Sequence, residues 1–270
     1  MKSIDPSRLY WANHTSESLA EMVARDPVAV LPIGAIEQHG PHLPLSVDTD
    51  INRGLVGATA DILATQDVPV LFLPTMPIGK STEHLDFPGS LSFSTQTLIS
   101  MWMEIGECVA ASGVKRLVFF NSHGGQVAPM DIVARDLRVK FDLLTFSCNW
   151  FGLGLPKGFL SEHENTYGIH AGELETSMML ELHPDKCRIE KAQNFRSHIE
   201  ELNTNTRHLG LGAGGKIGWK ASDLNPFGAC GDATLATPQK GEVAINHVAD
   251  EFAAMLREVH TYDMTKRPAK

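Results

Sequence analysis

The sequence predicts a layered α/β/α fold built on a mostly parallel sheet. Four short runs are apolar at nearly every position, which is typical of strands that are covered on both faces. Longer segments with helical periodicity separate these runs, so each strand is expected to lead into a crossover helix. No internal repeat, low-complexity tract or linker divides the chain. We therefore expect one domain that spans residues 1–270.

Each element follows from its own pattern along the chain. The strands are apolar runs such as PVAVLPIG and KRLVFFN, and the helices have an apolar residue every three or four positions. Asp50 is interpreted as the N-cap of the helix that begins there. Strands are predicted at 27–34, 69–76, 115–121 and 142–150, and helices at 50–66, 95–112, 126–141, 171–182 and 240–262.

The composition excludes two classes of partner. The 270 residues are 43% hydrophobic and 20% charged, with a formal net charge of -9 and a pI of about 5.7. Without a run of Lys or Arg, a nucleic-acid partner is not expected. The start lacks an apolar signal region, and no stretch reaches the roughly 18 apolar residues of a membrane span. With four cysteines scattered singly, these features predict a cytoplasmic protein with reduced thiols.

Polar clusters follow three of the predicted strands at their carboxyl ends. EQHG follows the first strand, GKSTEHLDFPGS the second and NSHGGQ the third, while GIHAGELETSMML opens a helix. Ligands of open α/β sheets collect at this edge, so we expect a single site there. The side chains expected to meet are Glu37, His39, Asp48, Ser81, Glu83, His84, His123, His170 and Glu173.

The residue types at this edge are those of a reactive metal site. Imidazoles and carboxylates without thiolates suit Zn, Mn, Fe or Co rather than a structural zinc of the cysteine type. The spacing of Glu37 and His39 places both side chains on one side of an extended segment. Asp48 is short and follows a loop with two prolines, which suits a carboxylate that bridges two ions about 3.5 to 4 Å apart. Such ions lower the pKa of bound water to about 7, so a bridging hydroxide is the expected nucleophile.

These segments together resemble those of the creatininase, or creatinine amidohydrolase, family. The similarity covers roughly residues 28–251, through GAIEQHGPHLPLSVDTD, EHLDFPGS, NSHGGQ, HAGELETSMML and GACGDATLATPQKG. It implies a layered α/β fold and a two-metal centre with Zn or Mn, with Fe as a further option. It also implies hydrolysis of a cyclic or linear amide C–N bond, and a homohexamer or other closed oligomer.

The resemblance also implies a role for each residue of the predicted site. Glu37 and His123 would hold one ion, His39 would hold the second, and Asp48 would bridge the two. His170 corresponds to the general acid/base of the family. The expected contacts to a small-molecule amide substrate are Ser81, His84 and Trp150.

One segment departs from creatininase itself. There the His of the third motif is followed, after one aromatic residue, by a Glu ligand, whereas Gly124 and Gly125 stand in these places here. Glu173, three residues after His170, is the expected replacement, both as a metal ligand and in catalysis. Formamidopyrimidine-nucleotide deformylases and mycofactocin peptidases show the same exchange. The expected substrate is thus a creatinine-like lactam or a formamide, and the alternative is a short modified peptide.

Other interpretations of the same residues stay open. The cluster would also serve a non-catalytic, metal-stabilised ligand-binding protein, and Glu173 alone would complement the dipole of its helix. A dinuclear phosphoesterase would use similar ions, but only Lys80 lies near the motifs to meet phosphate charge. His42 is expected behind the ligands, and Glu175 is expected to orient either one of them or the chain that follows. The glycine-rich segment 210–219 lacks the strand and the acidic residue of a dinucleotide site, so we expect a flap.

Overall fold

The computed structural model describes residues 5–211 and 214–263. Its main sheet contains β1 (Val28–Ile33), β2 (Val70–Phe72), β3 (Arg116–Asn121) and β4 (Leu144–Asn149). All of its pairings are parallel, and the spatial order is β2-β1-β3-β4. The predicted α/β class with a mostly parallel sheet is therefore confirmed. The second strand is shorter than predicted, because only three of its residues pair along β1.

Helices cover both faces of this sheet, and none of those described is long and apolar enough to cross a membrane. The longer ones match the predicted segments to within about three residues at each end. In chain order the helices are α1 (Ser16–Val23), α2 (Val47–Ala64), α3 (Thr95–Ala111), α4 (Val127–Phe141), α5 (Glu162–Tyr167), α6 (Glu173–Leu182), α7 (Ile199–Asn205), α8 (Ala221–Leu224) and α9 (Pro238–Thr261).

The alternation of side chains along the strands divides the core into two layers. Val28 and Val30 of β1 pack among residues of α2, α6 and α9, whereas Leu31 packs among residues of α3 and α4. Phe120 of β3 stacks on Phe252 of α9 with ring centroids 3.9 Å apart. This burial on both faces explains why the strands show no polar alternation.

Two further short strand pairings shape the segment that follows α6. Strand β5 (Asn194–Phe195) pairs with β8 (Gly231–Asp232), and β6 (Leu209–Gly210) pairs with β7 (Gly215–Lys216). The β6 and β7 pair lies within the predicted flap, of which residues 212–213 fall outside the described part of the chain. Strands of two residues carry no periodic signal, so the sequence did not predict them.

The start of α2 differs from the prediction in a way that matters for the site. The helix begins at Val47 with Ser46 as its N-cap, so the interpretation of Asp50 as the N-cap is wrong. The carboxylate of Asp50 instead accepts hydrogen bonds from Ser46 Oγ at 2.7 Å and from Lys186 Nζ at 2.8 Å. The earlier start places Asp48 in the first helical turn rather than in the preceding loop.

Candidate metal centre

Seven buried or partly buried side chains meet at the carboxyl edge of the sheet, and we call them the cluster. Glu37 and His39 follow β1, His123 follows β3, and His84 belongs to a short 3-10 turn after β2. Asp48 comes from the first turn of α2, and His170 and Glu175 come from the start of α6. The cluster consists of Glu37, His39, Asp48, His84, His123, His170 and Glu175.

Asp48 and Glu37 lie at the centre of the cluster. Asp48 Oδ1 is 3.6 Å from His39 Nε2, and Asp48 Oδ2 is 3.6 Å from His123 Nδ1. Glu37 Oε2 is 3.2 Å from the same His123 nitrogen, and Glu37 Oε1 is 4.0 Å from His39 Nε2. Both carboxylates thus lie between the imidazoles of His39 and His123, which is the arrangement that a bridging carboxylate needs.

The central atoms of the cluster lack the hydrogen bonds that buried polar atoms normally make. Among the described residues, no well-directed partner exists for Glu37 Oε2, His39 Nε2 or Asp48 Oδ2. These three residues also form a group whose possible ligand atoms all lie within 4.8 Å of one another. Buried lone pairs that converge on one point without donors fit a divalent cation, so the residues present fit the predicted metal.

Backbone carbonyls set which ring nitrogen of three imidazoles faces this point. His39 donates from Nδ1 to the carbonyl of Glu37 at 3.1 Å, and His123 donates from Nε2 to the carbonyl of Lys80 at 2.9 Å. His170 donates from Nε2 to the carbonyl of Gln38 at 2.8 Å. Because a carbonyl only accepts, the other nitrogen of each ring carries the lone pair when the ring is neutral, as in histidines that bind metals.

The pKa values of the cluster reflect this crowding of charge. Burial opposes ionisation of Glu37, but the imidazoles of His123 and, to a smaller degree, of His84 and His39 outweigh it and hold the pKa of Glu37 well below its usual range. Burial likewise opposes protonation of His39, yet Asp48, Glu175 and Glu37 raise its pKa to about 9. Without a metal ion, protons on the imidazoles therefore balance the carboxylates, and a bound cation would take their place.

Glu173 is not part of the cluster, which corrects the prediction that it is a metal ligand and a catalytic group. Its carboxylate is buried and forms an ion pair with Lys240 at the start of α9, where that ammonium also donates to the carbonyl of Leu235 at 3.1 Å. Glu173 is the first residue of α6, and residues two apart on a helix face different directions. The residue that faces the cluster is Glu175.

Glu175 is held in place by the irregular entry into α6. Its Oε2 accepts a hydrogen bond from the backbone nitrogen of Ala171 at 2.6 Å and lies 3.9 Å from His39 Nε2. Ala171 has a φ of 54°, in the left-handed region, so the chain turns sharply before the helix begins. Burial and the nearby Asp48 raise the pKa of Glu175 to about 7, although His39 opposes this shift. Sequence spacing carried no signal of this turn.

A cavity of about 970 Å³ opens over the cluster. Two of the predicted substrate contacts, His84 and Trp150, line it, and the segment after β7 contributes Ile217 and Trp219. Trp219 meets the imidazole of His84 edge-on, with ring centroids 6.4 Å apart. The flap predicted from the glycine-rich segment therefore lies beside the site, in the part of it that the structure describes.

Ser81 does not line this cavity, so the structure does not support it as a substrate contact. It is fully buried, its Oγ lies 3.4 Å from His123 Nε2, and its backbone nitrogen donates to Ser92 Oγ at 2.9 Å. Glu83 also approaches His123 Nε2, at 3.3 Å. Ser81 thus contacts the outer side of the His123 ring, whereas Glu83 contacts that ring and also lines the cavity.

His42 lies behind the cluster, as the sequence suggested. Its Nε2 is 2.9 Å from the hydroxyl of Thr176 on α6, and its ring stacks on Phe195 with centroids 5.2 Å apart. Burial, with the charge of His39 nearby, lowers the pKa of His42 to about 4. Through its contact with Thr176, His42 links the loop after β1 to α6.

Two supporting residues escaped the sequence analysis because their partners are remote in the chain. Gln38 lies between the ligand candidates Glu37 and His39, yet its side chain contacts His84 and the carbonyl of Gly228. Glu164 of α5 is buried and accepts hydrogen bonds from the backbone nitrogens of Glu173 at 2.8 Å and Asp232 at 2.9 Å. Only folding brings these partners together.

Comparison with known proteins found matches over most of the chain. The sequence profile described as creatininase, creatinine amidohydrolase, matches residues 12–256. A mycofactocin precursor peptide peptidase of Mycobacterium tuberculosis (strain CDC 1551 / Oshkosh) is 31% identical over 242 residues, which are 87% of each chain. A creatinine amidohydrolase of Pseudomonas putida is 29% identical over 205 residues, which are 70% of this chain and 76% of that one.

Solved structures share the fold at lower identity. A creatininase described as a manganese form superimposes with a TM-score of 0.76 and 22% identity, and the match covers 94% of this chain and 99% of that one. A variant creatininase of the Zn-Zn type superimposes with a TM-score of 0.74. At this identity the likeness supports the layered α/β architecture alone.

Proposed function

The chain belongs to the creatininase family of amide hydrolases, and we propose that it cleaves an amide C–N bond at a dinuclear metal centre held by five residues of the cluster. The observation that carries this proposal is the set of buried, unpartnered ligand atoms on Glu37, His39 and Asp48. A purely structural polar network would pair these atoms with donors.

The proposed ligand set keeps four predicted residues and replaces one. Glu37 and His123 would hold one ion, His39 would hold the other, and Asp48 would bridge them, with Glu175 in the place first given to Glu173. Zn or Mn fits these nitrogen and oxygen donors, and Fe is a further option. When bound, such ions polarise a carbonyl and supply ionised water near neutral pH.

His170 is the proposed proton carrier. Its Nε2 donates to the carbonyl of Gln38, so its Nδ1 lone pair faces the cluster, 3.7 Å from Glu37 Oε1. Nδ1 would take the proton of the attacking hydroxide and pass it to the departing nitrogen. His84 and Trp150 line the cavity and are the proposed substrate contacts.

Two substrate classes fit the proposed reaction. The first is a small lactam or formamide, in line with the creatinine amidohydrolase relative. The second is a short modified peptide, and two observations favour it. The cavity of about 970 Å³ is far larger than a molecule of creatinine needs, and a relative at 31% identity is a peptide peptidase. The aromatic and aliphatic wall of Trp150, Trp219 and Ile217 suits apolar side chains.

A substrate screen on metal-loaded protein tests this function. Protein reconstituted with Mn²⁺ or Zn²⁺ would be incubated with creatinine, formamides, small lactams and short peptides, and the products would be identified by mass spectrometry. We expect hydrolysis of at least one amide by the wild type and none by Asp48→Asn. Stoichiometric metal binding without turnover on any substrate would favour the non-catalytic, metal-stabilised alternative instead.

Three broader predictions accompany the proposed reaction. The family match over residues 12–256 supports treating the chain as one domain. A cytoplasmic location remains a prediction from the sequence. The closed oligomer is proposed by resemblance, and a sedimentation profile of a hexamer would support it, whereas a monomer would contradict it.

A further inference from the structure

His84 differs from the other imidazoles of the cluster in the kind of group that holds it. The rings of His39, His123 and His170 each donate to a backbone carbonyl, which leaves a lone pair towards the cluster. The ring of His84 instead meets a side-chain amide, because Gln38 Nε2 lies 3.0 Å from His84 Nδ1. Geometry alone groups His84 with Glu37 and His170 as residues that could hold an ion.

The orientation of the Gln38 amide is fixed by two backbone groups of opposite polarity. Gln38 Oε1 accepts a hydrogen bond from the backbone nitrogen of Gly40 at 2.9 Å. Gln38 Nε2 donates to the carbonyl of Gly228 at 2.7 Å. In a flipped amide, the oxygen would face the carbonyl oxygen of Gly228 and the NH₂ group would face the backbone N–H of Gly40. The NH₂ group must therefore be the one beside His84.

This orientation determines the proton of His84. Both hydrogens of the Gln38 amide nitrogen are used, one towards Gly228 and one towards His84 Nδ1, which must accept. A neutral imidazole has one accepting and one donating nitrogen, so Nε2 carries the hydrogen. That nitrogen lies 3.3 Å from Glu37 Oε1.

We propose that Gln38 holds His84 with its proton on Nε2, so that His84 is a positioning residue that donates to Glu37 and not a metal ligand. The two oxygens of Glu37 then have separate roles. Oε1 is the oxygen that approaches His84 Nε2, whereas Oε2, which has no well-directed partner among the described residues, faces His123 and the proposed ion. Orienting hydrogen bonds of this kind fix the carboxylates that bind metals.

The ligand assignment in this inference rests on the proposed metal centre, but the proton position does not. Nitrogen NMR of protein labelled with ¹⁵N in its histidines reports directly which ring nitrogen is protonated, and His84→Gln identifies the signal. We expect protonated Nε2 and unprotonated Nδ1 in the metal-free wild type. A proton on Nδ1 would overturn the proposal, whether or not the protein hydrolyses amides.

Two buried glutamine variants sharpen the NMR measurement. In Gln38→Glu the carboxylate can no longer donate to the ring, so we expect a proton to appear on His84 Nδ1. Gln126→Glu is the matched control, because Gln126 is also buried beside the site but contacts Gly34 and Asn121 rather than His84. An unchanged His84 signal in a folded Gln38→Glu protein would contradict the proposal, and the wild-type spectrum decides the question if that variant does not fold.

Metal titration separates a positioning residue from a ligand. We expect His84→Ala to bind as many Mn²⁺ ions at saturation as the wild type, but with an affinity lowered by about 10- to 100-fold. His84→Gln restores an N–H group and should recover part of that loss. His39→Ala is the comparison and should bind fewer ions at saturation. If His84→Ala also loses an ion at saturation, His84 is a ligand and the proposal is wrong.

Discussion

Helices α2 and α6 both begin at the cluster, and each directs one carboxylate of its first turn towards it. In α2 this residue is Asp48, which lies 3.6 Å from nitrogens of both His39 and His123. In α6 it is Glu175, which lies 3.9 Å from His39 and accepts a hydrogen bond from its own helix entry. Asp48 is therefore central to the cluster, whereas Glu175 lies at its side.

The two helix starts are also built differently. The chain enters α2 from the loop after β1, and the N-cap residue Ser46 bonds within the next turn. The entry into α6 needs the left-handed Ala171, and Glu164 on another helix accepts from its first backbone nitrogen. The direction of the Asp48 side chain thus depends on residues close to it in the sequence. The direction of the Glu175 side chain also depends on Glu164, which lies on another helix.

Removing the central carboxylate should have the largest effect. We expect Asp48→Asn to lower metal affinity and amide hydrolysis by more than about 100-fold, because even the loss of a group that orients a ligand costs 10- to 100-fold. Metal analysis after dialysis and the substrate screen measure both. Asp61→Asn, on the exposed side of α2, is the control and should behave as the wild type. Full metal content in Asp48→Asn would remove Asp48 from the ligand set.

Removing the lateral carboxylate should have a smaller effect. We expect Glu175→Gln to reduce metal affinity by about 10- to 100-fold, because one proposed ligand at the side of the cluster would lose its charge while Asp48 stays in place. Calorimetric titration with Mn²⁺ measures the change. Glu181→Gln, exposed on the same helix, should leave the affinity unchanged. A loss of metal affinity as large as that of Asp48→Asn would show that the two carboxylates contribute equally to metal binding.

The contrast between these helices also shows what the sequence could predict. Near-continuous apolar runs identified the four strands, and the short polar motifs after them placed Glu37, His39, Asp48 and His123 at one edge. Whether Glu173 or Glu175 faces the cluster depends on the turn at Ala171, which no residue pattern predicts. The contacts of Gln38 and the burial of Ser81 depend on tertiary packing in the same way.

Removing a hydrogen bond that Glu164 accepts at the start of α6 should lower the stability of the protein more than it lowers amide hydrolysis. In Glu164→Gln, the amide NH₂ would face the backbone nitrogen of either Glu173 or Asp232 and leave that donor unsatisfied. We expect a loss of about 1 to 3 kcal/mol in the free energy of unfolding, measured by denaturant titration. Glu162→Gln, exposed on α5, is the control. Unchanged stability would show that Glu164 does not support α6.

Changing Glu173 should have the smallest effect. The amide oxygen of Glu173→Gln can still accept from Lys240, and the partly exposed ammonium keeps its hydrogen bond to the carbonyl of Leu235, so we expect about 1 kcal/mol of destabilisation and unchanged metal affinity. Thermal unfolding and metal titration measure these two quantities. A lost ion in this variant would restore Glu173 as a ligand and contradict the assignment of Glu175.

Crystals grown with excess Mn²⁺ or Zn²⁺ test the central claim most directly, because anomalous scattering locates the metal itself. The account predicts two peaks about 3.5 to 4 Å apart, with Asp48 between them and Glu37, His39 and His123 in contact. Fully formed side chains at this edge with no anomalous peak among them would contradict it.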